Sequence, residues 1–224
     1  MFAVAIMPSD MSIDIRIIPG LLPYRKGWEL QHQLLEKIAK GIIPETILIV
    51  EHTPVYTLGF HGNAGNLLVS EEQLHQRGAE ILRVERGGDI TFHGPGQLVA
   101  YPIIRLRDRN YGVKSYVNRL EQAVIDTCRN YGIESGRIEN ATGVWCAVGT
   151  PNERKICAIG VKVAHGVTMH GLALNVSTDL DWFRLINPCG FINKSVTSIA
   201  LESCNTPSFA DVADTLSDKL CSYL

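Results

Sequence analysis

No run in the 224-residue sequence approaches the ~20 consecutive apolar residues that a membrane-spanning helix needs, so a helical membrane protein is not expected. The opening stretch MFAVAIMPSDM has a short apolar run. It has no basic segment ahead of that run and no small-residue cleavage site, and acidic residues arrive at Asp10 and Asp14. It is not read as a secretion signal, and the scarcity of early arginines speaks against a transit peptide. Charge is scarce too: charged residues make up 20% and the formal net charge is −2, which gives no footing for a nucleic-acid coat or a disordered acidic tail.

Further absences narrow the chemistry. The six cysteines form no CxxC pair and are read as reduced thiols, not as a disulfide framework. The histidines include no HExxH, and His165 and His170 stand five apart in a stretch that reads as strand, so no zinc site is expected. No GxGxxG opens a helix and no GK[ST] follows a phosphate cradle, so nucleotide binding gains no support. What is present is 46% apolar residues, enough for one sizeable core and one globular domain over residues 1–224.

The hydrophobic periodicity switches repeatedly along the chain. IDIRIIP alternates as a strand does, whereas Tyr24, Trp28, Leu34, Leu35 and Ile38 recur at helical spacing and end at Gly41. TILIVEHT, VYTLG, EILRVER and QLVAYPIIRL read as strands, and Ser70 with Gln73 forms a capping-box pattern for a short helix stopped by Gly78. Val117, Leu120, Val124, Ile125 and Cys128 make one helix face. GVWCAVG, the run KICAIGVKVAHGVTMHGLALNV and a short DLDWFRLI turn follow, then VTSIALE and a last helix capped by Ser208. The fold class is therefore α+β, with a mixed, largely antiparallel sheet flanked by helices.

RGGDITFHGPGQ, from Arg86 to Gln97, stands out as a loop between two strands. Its four glycines let the backbone approach a small molecule closely, and a bulged hairpin turn is the plainer alternative. Among the thiols, Cys128 and Cys221 lie on apolar helix faces, and Cys146 and Cys157 in apolar strands, so all four are expected in the core. Cys189 differs: in INPCGF it sits between Pro188 and Gly190, where packing does not explain it, and it is the candidate nucleophile beside the alternative of an incidental loop cysteine. Such a thiol needs a partner that favours the thiolate. A period of two puts Lys155 on the same face as Cys157, Ile159, Val161 and Val163, where burial would favour its neutral amine and make it a candidate base; a strand-end lysine reaching to water is the alternative.

RGGDITFHGPGQLVAYPI, KICAIGVKV, TMHGLALNV and INPCG followed by VTS, in that order, resemble the lipoate-protein ligase B family, the octanoyltransferases. EHTPVYTLG, the YV..LE..VI helix and TGVW agree, so the resemblance runs from about Tyr24 to Ser198. Residues 1–11 fall outside it and are expected as an N-terminal extension. The resemblance implies a biotin/lipoate protein ligase-like catalytic domain with a deep acyl pocket. It implies a cytoplasmic acyltransferase that moves an octanoyl (or lipoyl) group from acyl carrier protein to a lysine of a lipoyl domain, the first step of endogenous protein lipoylation. By motif, Cys189 carries the acyl thioester and Lys155 lowers its pKa and serves as general base. The substrate pocket is implied to be lined by Arg86, Gly87, Gly88, Asp89, Ile90, Thr91, Phe92 and His93, by Ala158, Ile159 and Gly160, and by Gly171, Leu172 and Ala173. Neither ATP nor a metal is implied, since the donor arrives activated on the carrier's phosphopantetheine.

The implied acceptors are lipoyl domains of 2-oxoacid dehydrogenase E2 subunits and the glycine-cleavage H protein, with no nucleic acid and no membrane. Backbone amides near Gly190 or in the glycine loop are candidates for the oxyanion hole, and His93 and His170 for either proton transfer or structural bonds. Arg105, Arg107, Arg109 and Lys114, with Arg154, are a candidate landing patch for acidic partners, against the alternative of a solvated charged face. An ATP-dependent ligase on the same fold and a non-catalytic acyl-binding module are the rival readings.

Overall fold

The computed structural model describes residues 12–187 and 194–224, so the expected N-terminal extension, Cys189 and Gly190 lie outside the described residues. In chain order the described elements are β1 (Asp14–Leu22), α1 (Tyr24–Ala39), β2 (Thr46–His52), β3 (Val55–Leu58), α2 (Glu71–Gln76), β4 (Glu80–Arg83), β5 (Ile90–His93) and β6 (Gln97–Ile103). They continue with α3 (Val113–Asn130), β7 (Ser135–Ile138), β8 (Ala141–Cys146), β9 (Arg154–Ala164), β10 (Val167–Asn175), β11 (Ser195–Val196), α4 (Ile199–Glu202) and α5 (Phe209–Tyr223). The main sheet runs β1-β2-β6-β10-β9-β8-β7 with β11 beside β9, and a small second sheet runs β4-β3-β5. Among the described residues only β1/β2, β3/β4 and β11/β9 pair in parallel, which gives the mixed, largely antiparallel α+β architecture that the periodicity predicts.

Every residue of β6 and β10 is buried, because both faces of these central strands are covered. Leu172 and Leu174 join Leu120, Val124, Leu216 and Leu220 of α3 and α5 in one core; Met169 and Ala173 join Leu34, Leu35 and Ile38 of α1 in another. The capping boxes fall where the sequence puts them, with Ser70 paired to Gln73 and Ser208 to Asp211. The long run from Lys155 to Val176 is a hairpin. His165 and Gly166 both have positive φ, the backbone of a two-residue turn that suits the twist of β9 and β10.

Four sequence expectations are corrected. RGGDITFHGPGQ is not one loop: Arg86–Asp89 forms a loop, 90–93 is β5, and Gly94–Gly96 turns into β6. Cys221 is exposed, because α5 buries the stripe Val212, Ala213, Leu216 and Leu220, and Cys221 lies off it; Cys128, Cys146 and Cys157 are buried as expected. In β9 the register shifts opposite Val144 and Trp145, and Ile156 and Cys157 are both fully buried in the main core. The extra residue breaks the alternation between Lys155 and Cys157, so the two do not share a face as the period of two implies.

The basic cluster is the fourth correction, since much of it is internally paired. The Arg109 side chain is 3% exposed and forks onto the Glu45 carboxylate, which also accepts from the Arg105 amide at 2.6 Å. Arg154 pairs with Glu202, and Arg105 and Arg107 with Asp108. Removing one partner of the Glu45–Arg109 pair leaves an uncompensated buried charge. Glu45→Ala is therefore expected to destabilise the fold by about 3–5 kcal/mol. Urea unfolding of the variant measures this, and a loss below about 1 kcal/mol would contradict the buried-pair assignment.

Candidate active site

Between the two sheets lies a cavity of about 520 Å³, within the ~300–1,000 Å³ typical of small-molecule sites. Its floor is three strands: Val99 and Tyr101 of β6, Ala158, Ile159 and Gly160 of β9, and Gly171, Leu172 and Ala173 of β10. Its roof is Arg86, Gly87, Gly88 and Asp89 of the loop with Ile90, Thr91 and His93 of β5. Roof and floor touch backbone to backbone. The Gly87 amide donates to the Val161 carbonyl at 3.0 Å, and a Cβ on Gly160 would stand 2.7 Å from the Gly87 carbonyl oxygen, so a larger residue there would prise the sheets apart.

Arg86 shapes this roof. Its guanidinium donates to the Thr57 carbonyl at 2.6 Å, to the Asp89 carbonyl at 2.7 Å and to the Thr57 hydroxyl, stitching the loop to β3. The Asp89 carboxylate accepts from the Asn63 amide at 3.0 Å and from the Asn66 side chain, which fixes the turn beside it. Phe92 is the exception among the fourteen pocket residues inferred from the motifs. Alternation along β5 turns it away from the cavity, where it stacks on Trp182 at 5.1 Å and packs against Tyr56 and Phe183.

One end of the cavity is polar and basic. Lys155, at the start of β9, borders it with its Nζ 4.6 Å from the centre of the Trp145 ring, and Lys194 Nζ lies 5.1 Å from the same ring while bonding Glu153 at 2.7 Å. The Lys155 carbonyl accepts from the Thr197 amide at 2.9 Å, and Val196 of β11 pairs with Lys155. On the other side of residues 188–193, the Asn187 amide donates to the Asn66 carbonyl at 2.8 Å. In sequence, Cys189 comes two residues after Asn187 and five before Lys194, which borders the cavity.

The other end is a cluster of aromatic and imidazole rings that the motifs did not single out as a unit: Tyr24, His52, His93, Tyr101 and His170. Tyr24 lies 5.0 Å from His52 and 5.7 Å from His93, and His170 6.4 Å from Tyr101, centre to centre. Its bonds are those of neutral imidazoles. His52 donates from Nδ1 to the Leu22 carbonyl at 2.8 Å, which leaves Nε2 to accept from the Tyr101 hydroxyl at 2.7 Å. Burial lowers His52 to about 4 and His170 to about 3, and burial with the nearby His52 and Arg86 puts His93 well below the usual histidine range.

His170 is in β10 yet has φ +56°, a left-handed backbone that costs a non-glycine residue of order 1–3 kcal/mol. Regular alternation would send it with Leu172 and Leu174 towards α3 and α5. The left-handed turn brings it instead to α1, where its amide donates to Gln31 Oε1 at 2.8 Å and its Nδ1 meets the Tyr24 hydroxyl at 3.4 Å. Its Nε2 is buried with no partner among the described residues, on a ring that borders the cavity.

Because these three histidines are neutral when folded and protonate near 6.5 when unfolded, the unfolded chain binds more protons below that pH. Stability is expected to fall as pH drops from about 6.5 towards 4, by up to ~1.4 kcal/mol per pH unit for each histidine. Chemical unfolding across this range, in the wild type and in His52→Phe, measures the slope. A pH-independent stability between 6.5 and 4.5 would contradict the buried neutral cluster.

Residues 23–221 match the family described as the lipoyl protein ligase A/B catalytic domain. An octanoyltransferase of Bacteroides thetaiotaomicron is 52% identical over 188 residues, covering 82% of this chain and 83% of its own length. An octanoyltransferase of Rubrobacter xylanophilus is 50% identical over 193 residues, covering 85% and 84%. Among solved structures, that of an archaeal bi-partite lipoate protein ligase and its E2 lipoyl domain from Thermoplasma acidophilum aligns with TM-score 0.70 at 18% identity, over 95% of this chain and 84% of that one. The last likeness concerns the fold alone. With a family match over nearly the whole chain and half of the positions shared with these relatives, the protein belongs to the lipoyl protein ligase A/B catalytic domain family, on its lipoate-protein ligase B, or octanoyltransferase, side.

Proposed function

We propose that this protein transfers an octanoyl group from octanoyl-acyl carrier protein to a lysine of a lipoyl domain, through a thioester on Cys189. The carrying observation is the cavity itself: an apolar floor of Val99, Ala158, Leu172 and Ala173 that ends at Lys155, beside the short strand that follows Cys189 in sequence. An acyl chain fits the apolar part by burial of its methylenes, which leaves its reactive carbonyl at the basic end. The octanoyltransferase relatives support the same reading.

In the first half-reaction the Lys155 amine takes the Cys189 proton. The thiolate adds to the donor carbonyl, and the tetrahedral intermediate collapses by breaking the bond to the phosphopantetheine sulfur, which leaves as a thiol with the proton from Lys155. In the second, the acceptor lysine amine adds to the enzyme thioester, its proton passes to Lys155, and the Cys189 sulfur leaves as the amide forms. The donor thioester supplies the driving force, so the reaction draws on no ATP and no metal. Cytoplasmic E2 subunits of 2-oxoacid dehydrogenases and the glycine-cleavage H protein are the acceptors in this reading. His93 is not needed for proton transfer, since both its ring nitrogens are bonded, to Gln97 and Thr57.

Intact mass spectrometry after incubation with octanoyl carrier protein is expected to give one octanoyl adduct on the wild type and none on Cys189→Ala. An unmodified wild type, or an adduct that persists in Cys189→Ala, would sink the mechanism. Lys155→Ala is expected to slow alkylation of Cys189 at pH 7 by about tenfold through loss of the thiolate-favouring partner. Because Cys204 and Cys221 are exposed, the rate is read on the Cys189 peptide. An unchanged rate there would remove Lys155 from the activating role.

A further inference from the structure

A line of buried hydrogen bonds runs under the cavity wall from the glycine loop to the backbone at Lys155, and its polarity can be read bond by bond. Arg86 can only donate, and it does so to Thr57 Oγ1 from Nε at 3.1 Å and from Nη2 at 2.9 Å. The Thr57 hydroxyl proton is then turned to His93 Nε2 at 3.4 Å, so the ring carries its proton on Nδ1 and donates to Gln97 Oε1 at 2.8 Å. Gln97 Nε2 donates to Asn175 Oδ1 at 2.9 Å and to the Phe92 carbonyl at 3.2 Å; Asn175 Nδ2 donates to the Thr197 carbonyl at 2.9 Å. The Thr197 amide closes the line on the Lys155 carbonyl at 2.9 Å. Every member from Arg86 to Thr197 is buried, and all the side-chain bonds along the line point the same way.

We infer that Thr57, Gln97 and Asn175 are positioning residues: they form a one-directional relay that ties the acyl-cradling loop to the strand carrying Lys155. The inference rests on the octanoyl-transfer reading for its kinetic consequence, and on geometry alone for its polarity. Gln97 and Asn175 border the cavity, but their amides are committed to the relay. Thr57 does not border it at all. The far end needs such a tie, because β11 is two residues long and has little ladder of its own. Thr197 also holds Glu202 through its hydroxyl at 2.5 Å, so a variant that breaks the relay keeps an anchor for the folded segment.

The test combines kinetics with imidazole nitrogen NMR. Thr57→Val, which keeps the shape and removes the hydroxyl, is expected to lower kcat for octanoyl transfer about tenfold with KM for the donor changed by less than about twofold, and Thr57→Ser to restore it. Asn175→Asp, which sets an acceptor against the Thr197 carbonyl, is expected to lower kcat similarly. The double variant should be no slower than the slower single one, because both break the same line. Losses that multiply, or a Thr57→Val kcat within about twofold of wild type, would overturn the relay. Independently of activity, wild-type His93 is expected to show the neutral Nδ1–H tautomer at pH 7. The Nε2–H tautomer there would overturn the relay even if no transfer were observed, whereas an inactive wild type with the Nδ1–H tautomer counts against the functional reading and supports the relay's polarity.

Discussion

The structure depends on one contact, the backbone of the 86–89 loop laid on the backbone of β9. The Gly87 amide bonds the Val161 carbonyl, and Gly160 offers no Cβ to hold the two chains apart. That approach docks the small β4-β3-β5 sheet onto the main sheet, and the cavity is the space the docking leaves between them. Arg86 keeps the loop in the shape the contact requires by donating to carbonyls on both β3 and the loop itself. Gly160 is thus used for closeness of backbones, and Gly88, at φ +87°, for its conformation.

The two ends of the cavity differ in how they handle charge. At the Lys155 end, the Lys155 and Lys194 amines meet the Trp145 face and Lys194 also meets the Glu153 carboxylate, so basic groups are held where they can act on a reacting group. At the far end, three imidazoles and two phenols are kept neutral by burial, with each ring bonded to a neighbour or a carbonyl. The imidazoles at this end therefore add no charge of their own to the cavity, and the Arg86 guanidinium of the roof is committed to the Thr57, Gly87 and Asp89 carbonyls.

Much of this was legible in the sequence because it depends on local rules. Helix ends followed from Ser70, Ser208 and the apolar stripes, and the strands from their alternation. Thirteen of the fourteen pocket residues inferred from the motifs border the cavity, whereas Tyr24, Tyr101, Val113 and Val117, which border it too, were not inferred as pocket residues. What was missed are departures from regular period. An extra residue in β9 separates Lys155 from Cys157, and a left-handed backbone at His170 reverses the face of one side chain. β5 divides a glycine-rich stretch that reads as a single loop, and its alternation carries Phe92 away from the site. Long-range pairing was equally invisible: nothing near Arg109 announces that Glu45, 64 positions away, neutralises it. The Gln97–Asn175 bond, spanning 78 positions, is of the same kind.

Trp145 has a consequence of a different sort. The centre of its ring lies 4.6 Å from the Lys155 Nζ and 5.1 Å from the Lys194 Nζ, and its Nε1 is fixed by a bond to the Ala141 carbonyl at 2.9 Å, so its orientation towards them is set. A ring held in this way is an intrinsic fluorophore at the basic end of the cavity. Its emission colour responds to the local electric field, so the wavelength of that emission is an optical readout of where those two amines stand and whether they carry a proton, without a label and without turnover.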